Sequence, residues 1–227
     1  MNHKPANRIL SGLPESELAR LLPLFKPVSL SAGEQVSDGT AGQFIYFPET
    51  AVISSISAME DGKSTEVGMI GFEGVADVTS LLGKDRNGHS LNVSIAGRAL
   101  KAGVDDVARE MSARKELQQR LLEYTAKYVA QVSQRSACGV LHQLEQRFAI
   151  WLLLLADRLP DEVIQITHER IAERLGVRRA GVTVVASNMK AAGIISYSRG
   201  SLRILDRGKL EDLACECYGT LALRHVE

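Results

Sequence analysis

Cysteine is scarce in this chain: Cys138, Cys215 and Cys217 are the only three, an odd number that cannot complete a disulfide framework. A secreted, disulfide-stapled fold is therefore excluded, and a reducing compartment is expected. Long apolar runs are missing as well. The longest, Phe148–Ala156, is nine residues between Arg147 and Asp157, whereas a spanning helix needs about 20. No membrane segment is expected. The amino terminus, MNHKPANRIL, has neither an apolar stretch nor a small-residue cleavage site, so a cytoplasmic location follows by default. An excess of charge of one sign is also lacking, since 27 Lys+Arg face 27 Asp+Glu. With 45% hydrophobic and 24% charged residues the composition is that of an ordinary folded protein, and 227 residues suffice for one large domain or two small ones. Two domains are the expectation.

A balanced total conceals an uneven distribution. Residues 1 to 110 hold 10 basic and 14 acidic side chains, a net of −4, while residues 166 to 205 hold 7 and 2, a net of +5. Positive charge concentrated late in the chain points to a polyanionic partner there.

Residues 8 to 25 read as a short helical entry, with Pro14 near a helix start and Leu18, Leu21 and Leu22 on one face. From Pro27 to about residue 104 lie more than half of the 19 glycines, and the short runs FIYF, AVISSIS, TEVGMI and LNVSIAG alternate with turn signals. This predicts a small antiparallel β-barrel or sandwich, with a type I′ hairpin at Asp61-Gly62. Between Val104 and Leu159 there is one glycine, Gly139, and no proline. Leu117, Leu121, Tyr124, Tyr128 and Val132 recur there at helical spacing, which predicts a long helix pairing with its copy in a second subunit. The alternative is a helix packed only on its own barrel, because periodicity does not say what covers an apolar stripe. Cys138-Gly139 marks a break before a second helix, Val140 to Asp157, that ends near Leu159-Pro160.

Function rests on residues 161 to 206. Thr167 is a candidate N-cap for a two-turn helix whose apolar face is Ile171, Ala172 and Leu175, stopped by Gly176. A second helix opens near Arg178, turns Val182, Val185, Ala186 and Met189 inward and ends at Ala192-Gly193. Two short helices joined by a glycine turn form a helix-turn-helix, whose second helix reads the major groove with its N-terminal residues. Arginine suits that position because its planar fork pairs with guanine or clamps a phosphate. Arg178, Arg179, Thr183, Ser187 and Lys190 are the candidate contacts on the exposed face, with Thr167, His168 and Arg199 reaching the DNA backbone. The runs IISYS and SLRIL, joined at Arg199-Gly200, predict a hairpin wing. Val184 is either core or an apolar contact to a thymine methyl. An exposed Arg-Arg pair can be merely solvated; the ordered set of cap, glycine turn, arginine-led helix and basic wing favours double-stranded DNA.

The order of parts resembles the Crp/Fnr superfamily of bacterial transcription regulators. The strings LSGLPESEL ending at Leu18, IYFPETAVIS at Ile45–Ser54, DGKSTEVGMIGFEG at Asp61–Gly74, LGVRRAGVT at Leu175–Thr183 and ACECY at Ala214–Tyr218 are similar to those of one branch of that family. The resemblance implies an α+β chain with a cyclic-nucleotide-binding-like jelly-roll barrel over residues 1–110, a dimerisation helix over 111–137 and a winged helix-turn-helix over 138–227. It also implies a homodimer on a palindromic operator, a small-molecule effector at the barrel and RNA polymerase as a partner.

Family members that bind cyclic AMP use a glutamate after a glycine for the ribose and a later Arg-Ser pair for the phosphate. The equivalent stretches here are Gly74-Val75-Ala76-Asp77 and Gly88-His89-Ser90. Valine stands for the acid and histidine for the arginine, and burying a phosphate without a fixed cation leaves a costly unpaired charge. Cyclic AMP is therefore not expected; Gly74, Val75, Asp77, His89 and Ser90 stay as candidate pocket residues for another effector or for none. Members that sense through an iron–sulfur cluster need four cysteines, one more than this chain has, so no cofactor is expected. Cys215-x-Cys217 suggests a metal or redox role, but without neighbouring Cys or His its expected role is packing. The recognition helix also differs from that of the cyclic-AMP regulator, since Ala180 and Val184 stand where a glutamate and an arginine occur, so a different operator is expected. A cupin-type enzyme is the rival reading, and it needs a His-x-His that the barrel lacks; His89 is the only histidine between residues 4 and 141.

Overall fold

Asn7 begins the ordered entry of the chain. Its side-chain oxygen accepts from the amides of Ile9 and Leu10, capping α1 (Arg8–Ser11), while its amide nitrogen donates to the carbonyls of Pro48 at 2.9 Å and Gly74 at 2.8 Å. One buried side chain thus starts a helix and ties it to two later segments. The computed structural model describes residues 4–38, 43–83, 89–159 and 163–222; Pro160 and Gly88 lie outside them. α2 (Glu15–Leu21) follows Pro14, its N-cap, and buries Leu18 and Leu21, while Leu22 begins a 3-10 turn.

The next seven strands are β1 (Lys26–Leu30), β2 (Gln35–Ser37), β3 (Phe44–Pro48), β4 (Val52–Ala58), β5 (Ser64–Ile70), β6 (His89–Ile95) and β7 (Gly97–Gly103). They form two sheets, ordered β1-β7-β3 and β2-β6-β4-β5. Leu30, Tyr46 and Ala99 of the first pack with Ile53, Ile70, Leu91 and Val93 of the second in one core, as expected of two sheets packed face to face. The period of two sends Ile45 and Phe47 to the other side, into a core shared with Leu10, Leu18 and Leu21.

Between β4 and β5 the hairpin forms as predicted, but its turn is not type I′. Gly62 alone of the Asp61-Gly62 pair has positive φ, +81°. The Gly62 amide bonds to Met59 O, and the Met59 amide to Lys63 O; a longer loop with one left-handed glycine restores the strand twist.

α3 (Val104–Ala113) and α4 (Lys115–Leu141) are separated by Arg114, whose φ of −130° and ψ of 111° are extended. The expected break at Cys138-Gly139 does not occur. Glycine in a helix interior costs only about 1 kcal/mol against alanine, and α4 runs on to Leu141. α5 (Leu144–Ala156) starts where Gln143, its N-cap, donates its amide to Gln146 Oε1 at 3.1 Å.

The predicted dimer stripe is largely covered within the chain. Leu117 and Leu121 are each 1% exposed, in the core with Ile9, Leu10 and Val107, and Tyr124 packs against it. Tyr128 packs on the core between the sheets, and Val132 is half-buried. The large apolar residues that α4 leaves exposed are Leu122, Val129, Val140 and Leu141.

The chain divides into two units, 1–55 with 69–130 and 56–68 with 131–227. In the second, Phe148–Leu155 of α5 are all buried; α5 contacts α6 (His168–Leu175), α7 (Arg179–Ala191), α8 (Arg207–Leu213) and α9 (Cys217–Leu221). A helix surrounded in this way is apolar on every face. A three-stranded sheet, β8-β10-β9, completes the unit, from β8 (Val163–Gln165), β9 (Ile195–Ser198) and β10 (Ser201–Ile204). No helix of the described residues is long and apolar enough to cross a membrane.

Candidate nucleic-acid interface

The Thr167 hydroxyl accepts from the Arg170 amide at 3.3 Å and caps α6. At the other end Gly176 has φ +64°; its amide bonds to Glu173 O and that of Val177 to Ala172 O. This is the Schellman closure that a left-handed glycine permits. The chain thereby re-enters a helix within three residues. Arg178 takes the N-cap of α7 with no side-chain cap, which leaves first-turn amides directed at any anion placed there.

Val182, Ala186 and Met189 of α7 are buried and Val185 is half-buried, while Arg178, Arg179, Ala180, Thr183, Val184, Ser187, Asn188 and Lys190 are exposed. Val184, at 59% exposure, is not core, so of its two expected roles only the apolar surface contact is left. Asn188 was missed by the sequence reading, although it stands one turn from Val184 on the same face; asparagine can pair with adenine. The Thr183 and Ser187 hydroxyls donate to their own helix, to Arg179 O at 3.1 Å and Thr183 O at 2.8 Å, and keep lone pairs for incoming donors. Arg179 Nε lies 3.8 Å from Glu169 Oε2, both side chains above 60% exposed; a pair so solvated holds the guanidinium weakly.

The predicted wing is present. Arg199 and Gly200 have φ of +50° and +82°, the two positive values of a type I′ turn, and register β9 on β10 as Ser198 opposite Ser201. Arg199 stands exposed at its tip. Lys190 Nζ donates to Tyr197 O at 3.3 Å, so its ammonium sits between α7 and the wing.

His168, expected to reach the DNA backbone, is half-buried. Its ring stacks on Tyr197 at 4.4 Å, and Nδ1 lies 3.0 Å from Thr183 Oγ1. The same hydroxyl lies 3.1 Å from Arg179 O, and Nε2 is buried without a partner. Burial first, and the Arg179 charge second, hold this imidazole below the usual 6.5. The unfolded chain then takes up the proton first. The contribution of His168 to stability is complete above 6.5 and declines as pH falls below it. An NMR titration of this ring is expected to give a pKa under 6.5; a value above it would refute the neutral stacked ring.

The candidate effector residues differ in their burial. Val75 is fully buried in the core beside Val78 and Leu121, and the Tyr124 ring lies so close to Gly74 that no side chain fits there. Asp77 is half-buried in a left-handed conformation, φ +69°, and burial raises its pKa above 3.8 against opposing hydrogen bonds from Ser80 and Thr79. His89 is exposed and Ser90 half-buried at the start of β6.

The three cysteines, of which Cys215 and Cys217 are expected to serve packing, are all buried, and they gather with His142 so that one ligand atom of each lies within 4.8 Å of the others. Burial, then the neighbouring Cys215 thiol, pushes Cys138 up to about 12.

The sequence profile of the Crp-like helix-turn-helix domain matches residues 146–213. No curated protein matches the chain significantly. Among solved structures, FixK2 from Bradyrhizobium japonicum is 16% identical over 84% of this chain and 98% of its own, with a TM-score of 0.71. TTHA1359, a Crp/Fnr-family transcriptional regulator from Thermus thermophilus, is 22% identical over 83% and 98%, TM-score 0.67. The cyclic-di-GMP-responsive global regulator CLP of Xanthomonas campestris is 11% identical over 84% and 99%, TM-score 0.66. At these identities the likeness establishes the fold.

Proposed function

We infer that this chain, which has the Crp/Fnr fold and carries a Crp-like helix-turn-helix domain at residues 146–213, is a transcription regulator that binds a palindromic DNA site as a homodimer through α7. The observation that carries the reading is the division of α7 into two faces. Val182, Ala186 and Met189 anchor it, and Arg179, Thr183, Val184, Ser187 and Asn188 are exposed behind an uncapped, arginine-led N-terminus. Arg179 reads a base edge, Arg178 and the α7 N-terminus hold phosphate, and Arg199 with Thr167 grips the flanking backbone. His168 acts indirectly, as the strut that fixes Thr183 against Tyr197.

For the second copy, the exposed side of α4 offers Leu122, Ala126 and Val129, spaced four and three apart, the spacing of a helix–helix seam. Two copies of α7 then meet half-sites about one DNA turn, ~34 Å, apart. An effector acts by favouring one arrangement of the dimer over another. Cyclic AMP is not the effector expected, since Val75 stands where the family resemblance places the ribose-binding acid. A cytoplasmic site of action follows from the reading as a regulator.

Selection from random duplex DNA with purified protein at moderate salt is the direct test, because salt sets the non-specific background. An enriched palindrome supports the reading; enrichment of no sequence under any ligand or redox condition overturns it. On the selected site, Arg179→Ala is expected to weaken specific binding by about 10- to 100-fold, the loss of one bidentate base contact of ~1–3 kcal/mol. Non-specific DNA should be affected much less, and an equal loss on both would make Arg179 a phosphate contact.

A further inference from the structure

Cys138 and His142 are four residues apart at the end of α4 and so share one helix face. Cys215 and Cys217 flank Glu216 between α8 and α9. The fold brings these segments, 77 residues apart in sequence at Cys138 and Cys215, to a Sγ–Sγ distance of 3.7 Å. Cys217 Sγ lies 3.6 Å from His142 Nδ1.

These distances are those of a single tetrahedral ion. With metal bonds of ~2.3 Å to sulfur and ~2.0–2.1 Å to nitrogen, the edges of the tetrahedron are ~3.8 Å between two sulfurs and ~3.5 Å between sulfur and nitrogen. A disulfide would need ~2.05 Å and would leave the third thiol stranded. An iron–sulfur cluster distributes its thiolates over several irons, whereas here the four donor atoms lie within 4.8 Å of one another.

The surroundings are those of a metal site. His142 Nε2, the nitrogen directed away from the sulfurs, lies 3.3 Å from Glu216 Oε1; a carboxylate on the far nitrogen fixes the tautomer and orientation of a ligating histidine. Gln134, one turn before Cys138 on α4, donates its amide to Cys217 Sγ at 3.0 Å, the kind of hydrogen bond that stabilises a thiolate.

We propose that Cys138, His142, Cys215 and Cys217 bind one zinc ion in a closed Cys3His site. All four ligands lie outside residues 146–213, two before and two after, so the ion fastens the two flanks of the helix-turn-helix domain to each other. Closing a chain of that length removes much of the freedom of the unfolded domain, and zinc binding becomes part of its folding free energy. The proposal does not depend on DNA binding.

The test uses the full chain, purified under reducing conditions without chelator. Elemental analysis is expected to find about one zinc per chain. Exchange for Co²⁺ should give the intense visible bands of tetrahedral coordination together with thiolate-to-cobalt charge transfer. Cys217→Ser and His142→Ala should lose the metal; because either could also fail to fold, Glu216→Gln, whose carboxylate is 81% exposed, tests the histidine's support with the fold kept. As a positioning residue, Glu216 is expected to raise zinc affinity through the imidazole, so the variant should bind zinc about 10- to 100-fold more weakly in competition with a chromophoric chelator. Three results would overturn the proposal: protein that stays metal-free after incubation with Zn²⁺, iron with acid-labile sulfide in place of zinc, or faint octahedral cobalt bands. An affinity unchanged in Glu216→Gln would remove the positioning role and, with it, the tautomer that directs Nδ1 to the ion.

Discussion

Glu66→Ala is expected to destabilise the unit that contains α5, α6 and α7 by about 3–5 kcal/mol, the usual consequence of removing one partner from a buried ion pair. The Glu66 side chain is fully buried and that of Arg135 is 11% exposed, with 3.0 Å between Oε1 and Nη2. Arg135 also donates to the Glu66 carbonyl at 3.3 Å, and Trp151 Nε1 donates to Oε1 at 3.2 Å. A further guanidinium, that of the buried Arg174, feels the same charge. Without Glu66, Arg135 loses its buried partner, Arg174 loses one of its neighbouring anions, and the indole loses its acceptor. Such a loss is a large share of the ~5–15 kcal/mol that holds a domain together. Calorimetry of wild type, Glu66→Ala and Glu66→Gln measures it. The glutamine should lie between the other two, since it keeps an acceptor for Trp151 and loses the charge. A change below about 1 kcal/mol for the alanine would mean that the pair is as well solvated as an exposed one.

The second large effect concerns α4. Leu121→Ala is expected to cost about 2–5 kcal/mol of stability, as for a leucine truncated in a packed core, with no weakening of self-association. Val129→Arg should do the reverse, leaving the melting temperature nearly unchanged and shifting the protein toward monomer in sedimentation at micromolar concentration. Leu121 is 1% exposed and Val129 58%, and the two substitutions separate the face that builds the chain from the face offered to a second copy. Should Leu121→Ala dissociate a stable dimer while Val129→Arg leaves it intact, the assignment of faces would be inverted.

These two residues also show how much of the molecule was legible in the sequence. The stripe through Leu117, Leu121, Tyr124 and Tyr128 is helical and apolar as its spacing predicts, and Leu117 and Leu121 in it are covered within the chain. Periodicity records which face avoids water and is silent on what covers it; α1, α2 and the strand bearing Ile45 and Phe47 supply the cover here. The winged helix-turn-helix was legible almost residue by residue because its determinants are local: a threonine cap, a left-handed Gly176, an arginine start and the Arg199-Gly200 turn each act within a few residues. Gly139 misled for the opposite reason, since its small local penalty is outweighed by the length of α4. The part played by the half-buried His168 was not legible because Thr183 and Tyr197, which hold it, come from other elements. The gathering of Cys138 and His142 with Cys215 and Cys217 depends on contacts across 75 or more residues, and no spacing within either segment announces it.

The chain has one tryptophan, and its position makes it a spectroscopic label that nature has already installed. Trp151 is 1% exposed and hydrogen-bonded to Glu66, both in the unit formed by 56–68 and 131–227. Indole emission therefore follows that unit alone, while the β-sheet signal in far-ultraviolet dichroism is weighted toward the other. Two denaturation curves that coincide would make the chain a single cooperative fold; curves that separate would give each unit its own midpoint without any engineered probe.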